Sequence, residues 1–410
     1  MRVGIIGGGA AGMMAAWSVS QNHPDAHVVL FEKNKNLGAK VIISGGGRCN
    51  LTTGIESVSD VLKNYPRGAK FLKHAIYSMP PADVRQFFED LGVPTKCESD
   101  LRVFPKSNDG HDVVRAFEEY FKNTNVDISL GTYIVDVEYV DSKFYVYKKS
   151  EQCEVFDKLI ITTGGQAYRH TGSTGDGYSF AEAIGHTVTE LGPSLNSFIL
   201  VEKFFTELSG LSLGKIKLQA KCKDNKKHKF EGPILFTHKG LTGPVVFAMS
   251  AWLAFSEISE QNPIALKLDF LPEWTLVDLE NKWYEFLNDS PKKFFKHFLY
   301  QFLPKSLIDL LDVNLDLKAN LACDSLNIKT VNLIIEKLKN IEVSIKARGK
   351  GDEFVTAGGI SRSEINSKTM QSKIVPGLYF AGEIMDVDGV TGGFNLQASW
   401  ACGSLAGKLF

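Results

Sequence analysis

Four short runs of apolar residues stand out in the hydrophobic pattern of the chain. They cover residues 3–6, 28–31, 159–161 and 378–381. Runs of this length are too short for helices and are typical of buried parallel strands. Residues 10–20, rich in Ala and Met, follow the first run directly and predict a helix. The pattern therefore predicts an α/β fold built on a Rossmann-like parallel sheet.

The turn between the first strand and the first helix has the glycine spacing of a dinucleotide-binding site, with Gly7, Gly9 and Gly12. Gly7 permits a tight turn, Gly9 lets the backbone approach a pyrophosphate, and Gly12 lets the helix pack closely on the strand. Glu32 ends the second strand, where a carboxylate holds a ribose hydroxyl. Because a carboxylate disfavours a 2′-phosphate, the spacing predicts FAD or NAD rather than NADP.

The middle of the first half predicts helices and a small sheet. Residues 60–92 and 113–121 read as helical, and residues 126–155 read as strands of a small sheet lying against the nucleotide fold. In flavin folds the backbone near Ile134 is placed to touch the adenine. The run at 158–163 is expected to return to the central sheet beside the first strand.

The character of the sequence changes near Pro193, where the alternation of strands and helices stops. This change predicts three segments: 1–193 as the first part of the FAD-binding domain, 194–342 as an inserted substrate or cap domain, and 343–410 as the remainder of the FAD-binding domain. The insert mixes strand-like and helical pieces. They are residues 198–201, 216–222 and 264–270 as strands and 275–287, 292–302, 307–311 and 330–339 as helices.

Composition excludes several classes of protein. The chain has 46 Lys and Arg and 47 Asp and Glu, and this charge balance indicates neither a nucleic-acid partner nor an anionic membrane. The longest apolar stretch, residues 244–255, is too short to span a bilayer, and no signal peptide is evident. The six cysteines lack the spacing of a redox dithiol or a zinc site, so a reducing cytoplasm is expected and no metal ligand is assigned.

Two further glycine strings suit a bound dinucleotide, and the second of them favours FAD over NAD. Residues 44–50 place three glycines before Arg48, which suits a phosphate or a flavin carbonyl, and Asn50, which suits the edge of the ring. Cys49 between them is read as buried and inert rather than as a redox thiol. At the other end, residues 392–393 open a helix whose positive end can face the pyrimidine edge of a flavin. A nicotinamide dinucleotide would not need this second clamp.

The strings at 44–50, 174–177 and 382–397 together resemble those of the bacterial YhiN/BaiN-like flavoproteins, over essentially the whole chain. More distantly the chain is similar to fumarate-reductase-type and glutathione-reductase-type flavoproteins. The resemblance implies an FAD fold interrupted by a β-barrel-plus-helical insert, non-covalent FAD and oxidoreductase activity. One branch of the family is associated with the reduction of carbon–carbon double bonds in oxo-bile acids.

The resemblance also implies the cofactor contacts. They are Gly7, Gly9, Ala11, Gly12, Glu32, Lys33, Arg48, Asn50, Gly164, Gly382, Asp386, Asn395 and Leu396. The predicted site is completed by Lys40, Ser44, Gly46, Gly47, Cys49, Ile134, Glu383, Gly393 and Gln397.

The function predicted is hydride transfer through flavin N5, between NAD(P)H or an organic donor and a small-molecule acceptor such as an enone. A single dinucleotide fingerprint means that NAD(P)H would bind without a Rossmann fold of its own. No catalytic residue is assigned, although His238 is a candidate proton donor. The alternatives are a flavin-dependent RNA-modifying protein, supported by the basic stretch of Lys221, Lys223, Lys226, Lys227 and Lys229, and a flavin sensor without turnover. No nucleic-acid or membrane partner is expected, and the oligomeric state is left open.

Overall fold

The computed structural model describes residues 1–222, 225–351 and 353–410. Lys223 of the basic stretch lies outside them. The strands in the described part are β1 (Arg2–Ile6), β2 (His27–Phe31), β3 (Thr52–Thr53), β4 (Thr95–Cys97), β5 (Arg102–Pro105), β6 (Val126–Ser129), β7 (Ile134–Val140), β8 (Lys143–Lys148), β9 (Cys153–Phe156), β10 (Lys158–Ile161), β11 (Gly192–Ser194), β12 (Phe198–Leu200), β13 (Ser212–Lys221), β14 (Lys227–Phe236), β15 (Gly240–Thr242), β16 (Ile264–Asp269), β17 (Ile341–Arg348), β18 (Val355–Ala357) and β19 (Leu378–Phe380).

The α-helices of the described residues follow the amphipathic and Ala-rich stretches. They are α1 (Ala10–Asn22), α2 (Ala39–Ile43), α3 (Val58–Leu62), α4 (Ala69–Ser78), α5 (Pro81–Asp90), α6 (Gly110–Phe121), α7 (Asp176–Ala183), α8 (Pro244–Trp252), α9 (Leu276–Asp289), α10 (Lys296–Leu299), α11 (Lys305–Leu315), α12 (Ile328–Lys339) and α13 (Phe394–Ala406). The expected helix at 60–92 is three helices, with Pro81 at the first position of α5. The expected helix at 292–302 shrinks to the single turn of α10.

The centre of the first unit is a five-stranded parallel sheet with the strand order β19-β10-β1-β2-β6. Ile5 pairs with Ile160 on one side and with Leu30 on the other, and none of these three side chains is exposed. Burial on both faces explains why these strands read as continuous apolar runs. The predicted return of 158–163 beside the first strand is therefore confirmed.

One strand belongs to a different sheet from the one expected. Residues 126–129, predicted as part of the small sheet, form β6 and extend the central sheet, where Ile128 pairs with Leu30. The small sheet contains only β7, β8 and β9, which are antiparallel. The alternating pattern of β6, with its exposed Asp127, is that of an edge strand, which is why it looked like the neighbouring antiparallel strands.

The second unit is a closed six-stranded barrel with the order β12-β15-β14-β13-β16-β17, accompanied by helices α8 to α12. Its core includes Ile216, Leu218, Leu266 and Ile345, none of them exposed. This confirms the predicted combination of a Rossmann-like domain with a barrel-plus-helical insert.

The chain divides into one unit of residues 1–194 and 353–410 and another of residues 195–352. The boundary expected after residue 342 falls within β17, whose register with β16 holds it in the barrel. In the part of the chain that the structure describes, no helix is long and apolar enough to cross a membrane.

Candidate functional site

The turn from β1 to α1 has a geometry that only glycine satisfies at two of its three positions. Gly7 has φ +109°, and a Cβ there would lie 2.6 Å from the carbonyl oxygen of Thr162. A Cβ on Gly12 would overlap the carbonyl oxygen of Gly7 and lie 2.8 Å from Thr162 Oγ1. A Cβ on Gly9 meets nothing within 4 Å. The turn is thus closely packed underneath and open in front of Gly9 and the first N–H groups of α1, where an anion would bind.

Glu32 is held against this turn by two backbone donors. The N–H of Gly8 donates to Oε2 at 2.9 Å and the N–H of Asn34 donates to Oε1 at 2.8 Å. Burial raises the pKa of the Glu32 carboxyl above its ordinary value, although both hydrogen bonds act in the opposite direction. The carboxylate is therefore fixed beside the glycine turn with lone pairs left for a hydroxyl donor.

The loop after α2 provides a second open surface. Gly46 and Gly47 have φ +74° and +89°, and a Cβ on either would meet nothing within 4 Å. Arg48 lies over the ring of Phe104 at 3.8 Å and donates to Glu98 Oε1 at 2.7 Å. Its planar guanidinium is thereby fixed beside the open loop.

The other side chains of this loop serve the protein itself. Cys49 is fully buried, and burial raises its pKa to about 12, so it is an inert thiol at neutral pH. Ser44 donates to the carbonyl oxygen of Val41 at 2.8 Å and closes the end of α2.

The C-terminal string joins the loops near the first turn. Lys40 Nζ lies 3.1 Å from Glu383 Oε2, and the other carboxylate oxygen accepts from the N–H of Thr356 at 2.9 Å. A Cβ on Gly382 would lie 2.9 Å from Cβ of Ala11. Residues more than 300 positions apart in sequence therefore converge on one end of the sheet, at the carboxyl ends of parallel strands, where such folds bind ligands.

The loop after β10 also faces this end. Lys33 Nζ donates to Asp176 Oδ2 and to Thr174 Oγ1, both at 2.5 Å, which ties the region after β2 to the start of α7. Gly164 has φ +72°, and a Cβ there would lie 3.1 Å from Ser173 Oγ. Thr163 Oγ1 and Tyr178 Oη are buried and have no hydrogen-bond partner among the described residues, although buried polar groups ordinarily have one.

The N-terminus of α13 is anchored by Asn50, whose side-chain oxygen accepts from the N–H of Gly393 at 3.0 Å once its amide is oriented to satisfy its neighbours. Gln397 is fully buried, accepting from Thr52 Oγ1 at 2.5 Å and donating to the carbonyl oxygen of Met79 at 2.8 Å. Both side chains are therefore engaged within the protein, which makes them positioning groups for the helix start.

Two other residues of the same string also have protein partners. Asn395 exchanges two hydrogen bonds of 2.8 Å with the backbone of Gly389 and so closes the loop before the helix. Asp386 lies 2.8 Å from Arg362, while burial raises its pKa. Leu396 follows in the first turn of α13, where N–H groups lack intrahelical partners.

The two remaining candidates, Ile134 and His238, belong to different units of the chain. Ile134 begins β7 and is buried, with its strand in contact with α7. His238 is exposed in the connection between β14 and β15 of the barrel unit.

Several residues that shape the site carry no sequence signal. Thr162 Oγ1 donates to the carbonyl oxygens of Ile6 and Gly7 and holds the first turn. Thr356 Oγ1 accepts from the N–H groups of Gln166 and Ala167. Isolated threonines of this kind belong to no motif. In the sequence they are marked only by a glycine two residues later, Gly164 after Thr162 and Gly358 after Thr356.

FAD fits this set of residues. The backbone is open in front of Gly9, Gly46 and Gly47, Glu32 keeps acceptor capacity for a ribose hydroxyl, and the hydroxyls of Thr163 and Tyr178 have no partner among the described residues and would gain one. A Rossmann-like unit with this arrangement defines a flavin-dinucleotide-binding α/β protein.

Comparison with known proteins gives the family. The model described as "HI0933-like protein Rossmann domain" matches residues 1–409, and the chain belongs to that family. It is an FAD-dependent oxidoreductase.

Named relatives cover nearly the whole chain. A 3-dehydro-bile acid delta(4,6)-reductase of Clostridium scindens is 29% identical over 99% of this chain and 98% of its own. A ribosomal RNA dihydrouridine synthase of Haemophilus influenzae is 30% identical over 97% of this chain and 95% of its own. Among solved structures, the open conformation of a flavocytochrome c3 fumarate reductase gives a TM-score of 0.52 at 19% identity, covering 99% of this chain and 77% of that one, which shows the fold.

Proposed function

We propose that this protein reduces a carbon–carbon double bond conjugated to a carbonyl group. The observation that carries the proposal is the chemistry shared by its relatives. One is named for reducing a 3-dehydro-bile acid and the other for making dihydrouridine, and both products arise by adding two hydrogens to a C=C bond beside a C=O group. Two different substrates with one chemical change point to a conserved reaction rather than a conserved substrate.

When bound, FAD supplies the hydride from its reduced N5 position. The chain's own residues would bind and orient it: the turn at Gly9 would hold the pyrophosphate, and the Glu32 carboxylate would accept a hydrogen bond from a ribose hydroxyl. The N-terminus of α13, held by Asn50, would direct its positive end to the pyrimidine edge of the flavin, where reduction places negative charge.

For the substrate, our first candidate is a small enone and the donor is NADH or NADPH. A second candidate is a uracil base in ribosomal RNA, which the similarity to a ribosomal RNA dihydrouridine synthase favours. The overall charge of −1 does not distinguish them. The insert does carry 22 Lys and Arg against 19 Asp and Glu, so the cationic surplus is concentrated there.

An anaerobic titration of the purified holoprotein with NADH and NADPH tests the proposal. We expect one donor to bleach the oxidised flavin band. The reduced protein is then offered a 3-oxo-Δ4 steroid in one arm and total ribosomal RNA in another, and return of the band is followed together with the two-hydrogen mass gain of the product. Reoxidation by neither acceptor, with oxygen excluded, would reject conjugated-bond reduction for both substrate classes.

A further inference from the structure

The hairpin of β13 and β14 carries its charges in an arrangement that folding alone does not favour. At the middle of the hairpin, Lys217 pairs with Glu231 across the strands at 2.7 Å, as cross-strand stability requires. Nearer the tip, Lys221 stands directly opposite Lys227. Like charges in directly opposed positions of an antiparallel pair are destabilising, so this part of the hairpin sacrifices stability.

A third lysine extends the cluster. Lys229 lies two residues after Lys227, which places both on the same face of β14, and it is paired with the neutral Gln219. All three lysines are exposed, and among the described residues none of them has a carboxylate partner. We call Lys221, Lys227 and Lys229 the cationic tip.

The tip is built on a rigid support. Leu218 and Ala220, which alternate with the outward side chains of β13, are buried in the barrel core. On β14, the ring of His228 stacks on Trp252 of α8 with centroids 4.0 Å apart. Because the strands are fixed on their inner face, the backbone positions of the lysines are set before any partner binds, so no backbone has to be ordered on binding.

We propose that the cationic tip docks the phosphate backbone of RNA. The inference rests on the second substrate candidate above, since a protein acting on ribosomal RNA needs contacts with the backbone besides those to the reacting base. Three exposed lysines on one face, with no carboxylate partner among the described residues, complement a row of phosphates, and an anionic partner would remove the repulsion between Lys221 and Lys227. The tip contains no residue of the flavin site.

The test compares two triple variants of the holoprotein. Lys221→Gln/Lys227→Gln/Lys229→Gln removes the tip. Lys293→Gln/Lys318→Gln/Lys329→Gln removes the same charge from exposed lysines elsewhere in the same unit. Binding of a labelled, uridine-rich single-stranded RNA is measured by fluorescence anisotropy over a range of salt concentrations. Each phosphate contact in a single strand contributes a slope of about −0.7 in log K against log salt.

We expect loss of the tip to reduce that slope by about 2, as three lost contacts require, and the control variant to keep the slope of the wild type. Equal effects of the two variants, or no RNA binding by the wild type, would overturn the proposal. So would loss of binding to phosphatidylserine vesicles with unchanged RNA binding, because the tip would then serve a lipid surface. Since binding is measured without turnover, failure here leaves reoxidation by an enone or by RNA as a separate test of the proposed reaction.

Discussion

Gly9 and Gly12 stand three residues apart in one motif, yet the structure gives them opposite tolerances. Gly9 precedes α1 with φ −81° and ψ −167°, a conformation open to any residue, and a Cβ there meets nothing within 4 Å. Gly12 lies within α1 against the backbone of Gly7. Substitution at the first position should therefore remove the cofactor, and substitution at the second should damage the fold.

The magnitudes follow from these contacts. For Gly9→Val the apoprotein should lose at most about 1 kcal/mol, because Val is a poorer N-cap residue than Gly. For Gly12→Ala the overlap with backbone should cost about 1–3 kcal/mol or more, since neither β1 nor α1 can yield locally. A valine at Gly9 would keep the pyrophosphate from the first N–H groups of α1. Hydrogen bonds to charged groups contribute about 1.5–3 kcal/mol each, so losing one should weaken FAD binding at least about tenfold.

The assay separates the two effects by using apoprotein. Urea unfolding gives the stability without the contribution of bound flavin, and quenching of flavin fluorescence on titration gives the affinity. We expect Gly9→Val to unfold near the wild type and to bind FAD poorly, and Gly9→Ala to fall between the two. Tight FAD binding by a folded Gly9→Val would refute the placement of the pyrophosphate. If Gly9→Val were destabilised as much as Gly12→Ala, the conclusion that a side chain at position 9 has open space would be wrong.

Three further outcomes are expected. Burial raises the pKa of the Glu32 carboxyl in the folded apoprotein, so the contribution of Glu32 to stability is greatest below its pKa in the unfolded chain and is lost as the pH rises through its pKa in the folded protein. The difference in unfolding free energy between the wild type and Glu32→Gln should therefore depend on pH between these two pKa values. A difference that stays constant with pH would contradict this expectation. A maleimide should label exposed Cys97 and Cys153 in the native protein at pH 8 while Cys49 reacts only on unfolding, as mass spectrometry of tryptic peptides would show; fast native labelling of Cys49 would count against its burial. Gln397→Leu should lose about 1–3 kcal/mol of stability because Thr52 Oγ1 and the Met79 carbonyl oxygen both lose their hydrogen-bond partner. Gln397→Glu is the control, because it keeps the acceptor for Thr52. An unchanged urea midpoint for Gln397→Leu would show that these hydrogen bonds are dispensable.

The parts of the fold that were predictable from sequence are those governed by local patterns. The buried strands read as apolar runs because both faces of the sheet are covered, and the first turn was recognisable because its glycines have the short, fixed spacing of a dinucleotide-binding turn. Strand β6 was assigned to the wrong sheet because edge strands of parallel and antiparallel sheets share an alternating pattern. The end of the insert was misplaced because β17 completes the barrel by pairing with β12, a partner more than 140 residues away.

The candidate site shows a different limit. A motif identifies polar residues near a cofactor, but it does not distinguish a side chain that contacts the ligand from one that holds a neighbouring loop. Asn50 and Gln397 illustrate this, since their amides are engaged by Gly393, Thr52 and Met79. These residues still matter for the start of α13, because breaking their hydrogen bonds would leave buried polar groups unsatisfied, which costs free energy.

The same reasoning suggests how the family can change substrate and keep its reaction. The residues that converge on the carboxyl ends of the strands are tied to one another by close backbone contacts, as at Gly7 and Gly12, or by partly buried ion pairs such as Lys40 with Glu383. A change at either member of such a contact must be matched by a change at the other. A substitution among the outward residues of the barrel, including the cationic tip, needs no compensating change, because a lysine at the surface of β14 can be replaced without repacking the core. Selection for a new substrate would therefore act on the barrel surface first, which is where a comparison between enone-reducing and RNA-reducing members should find their charges to differ.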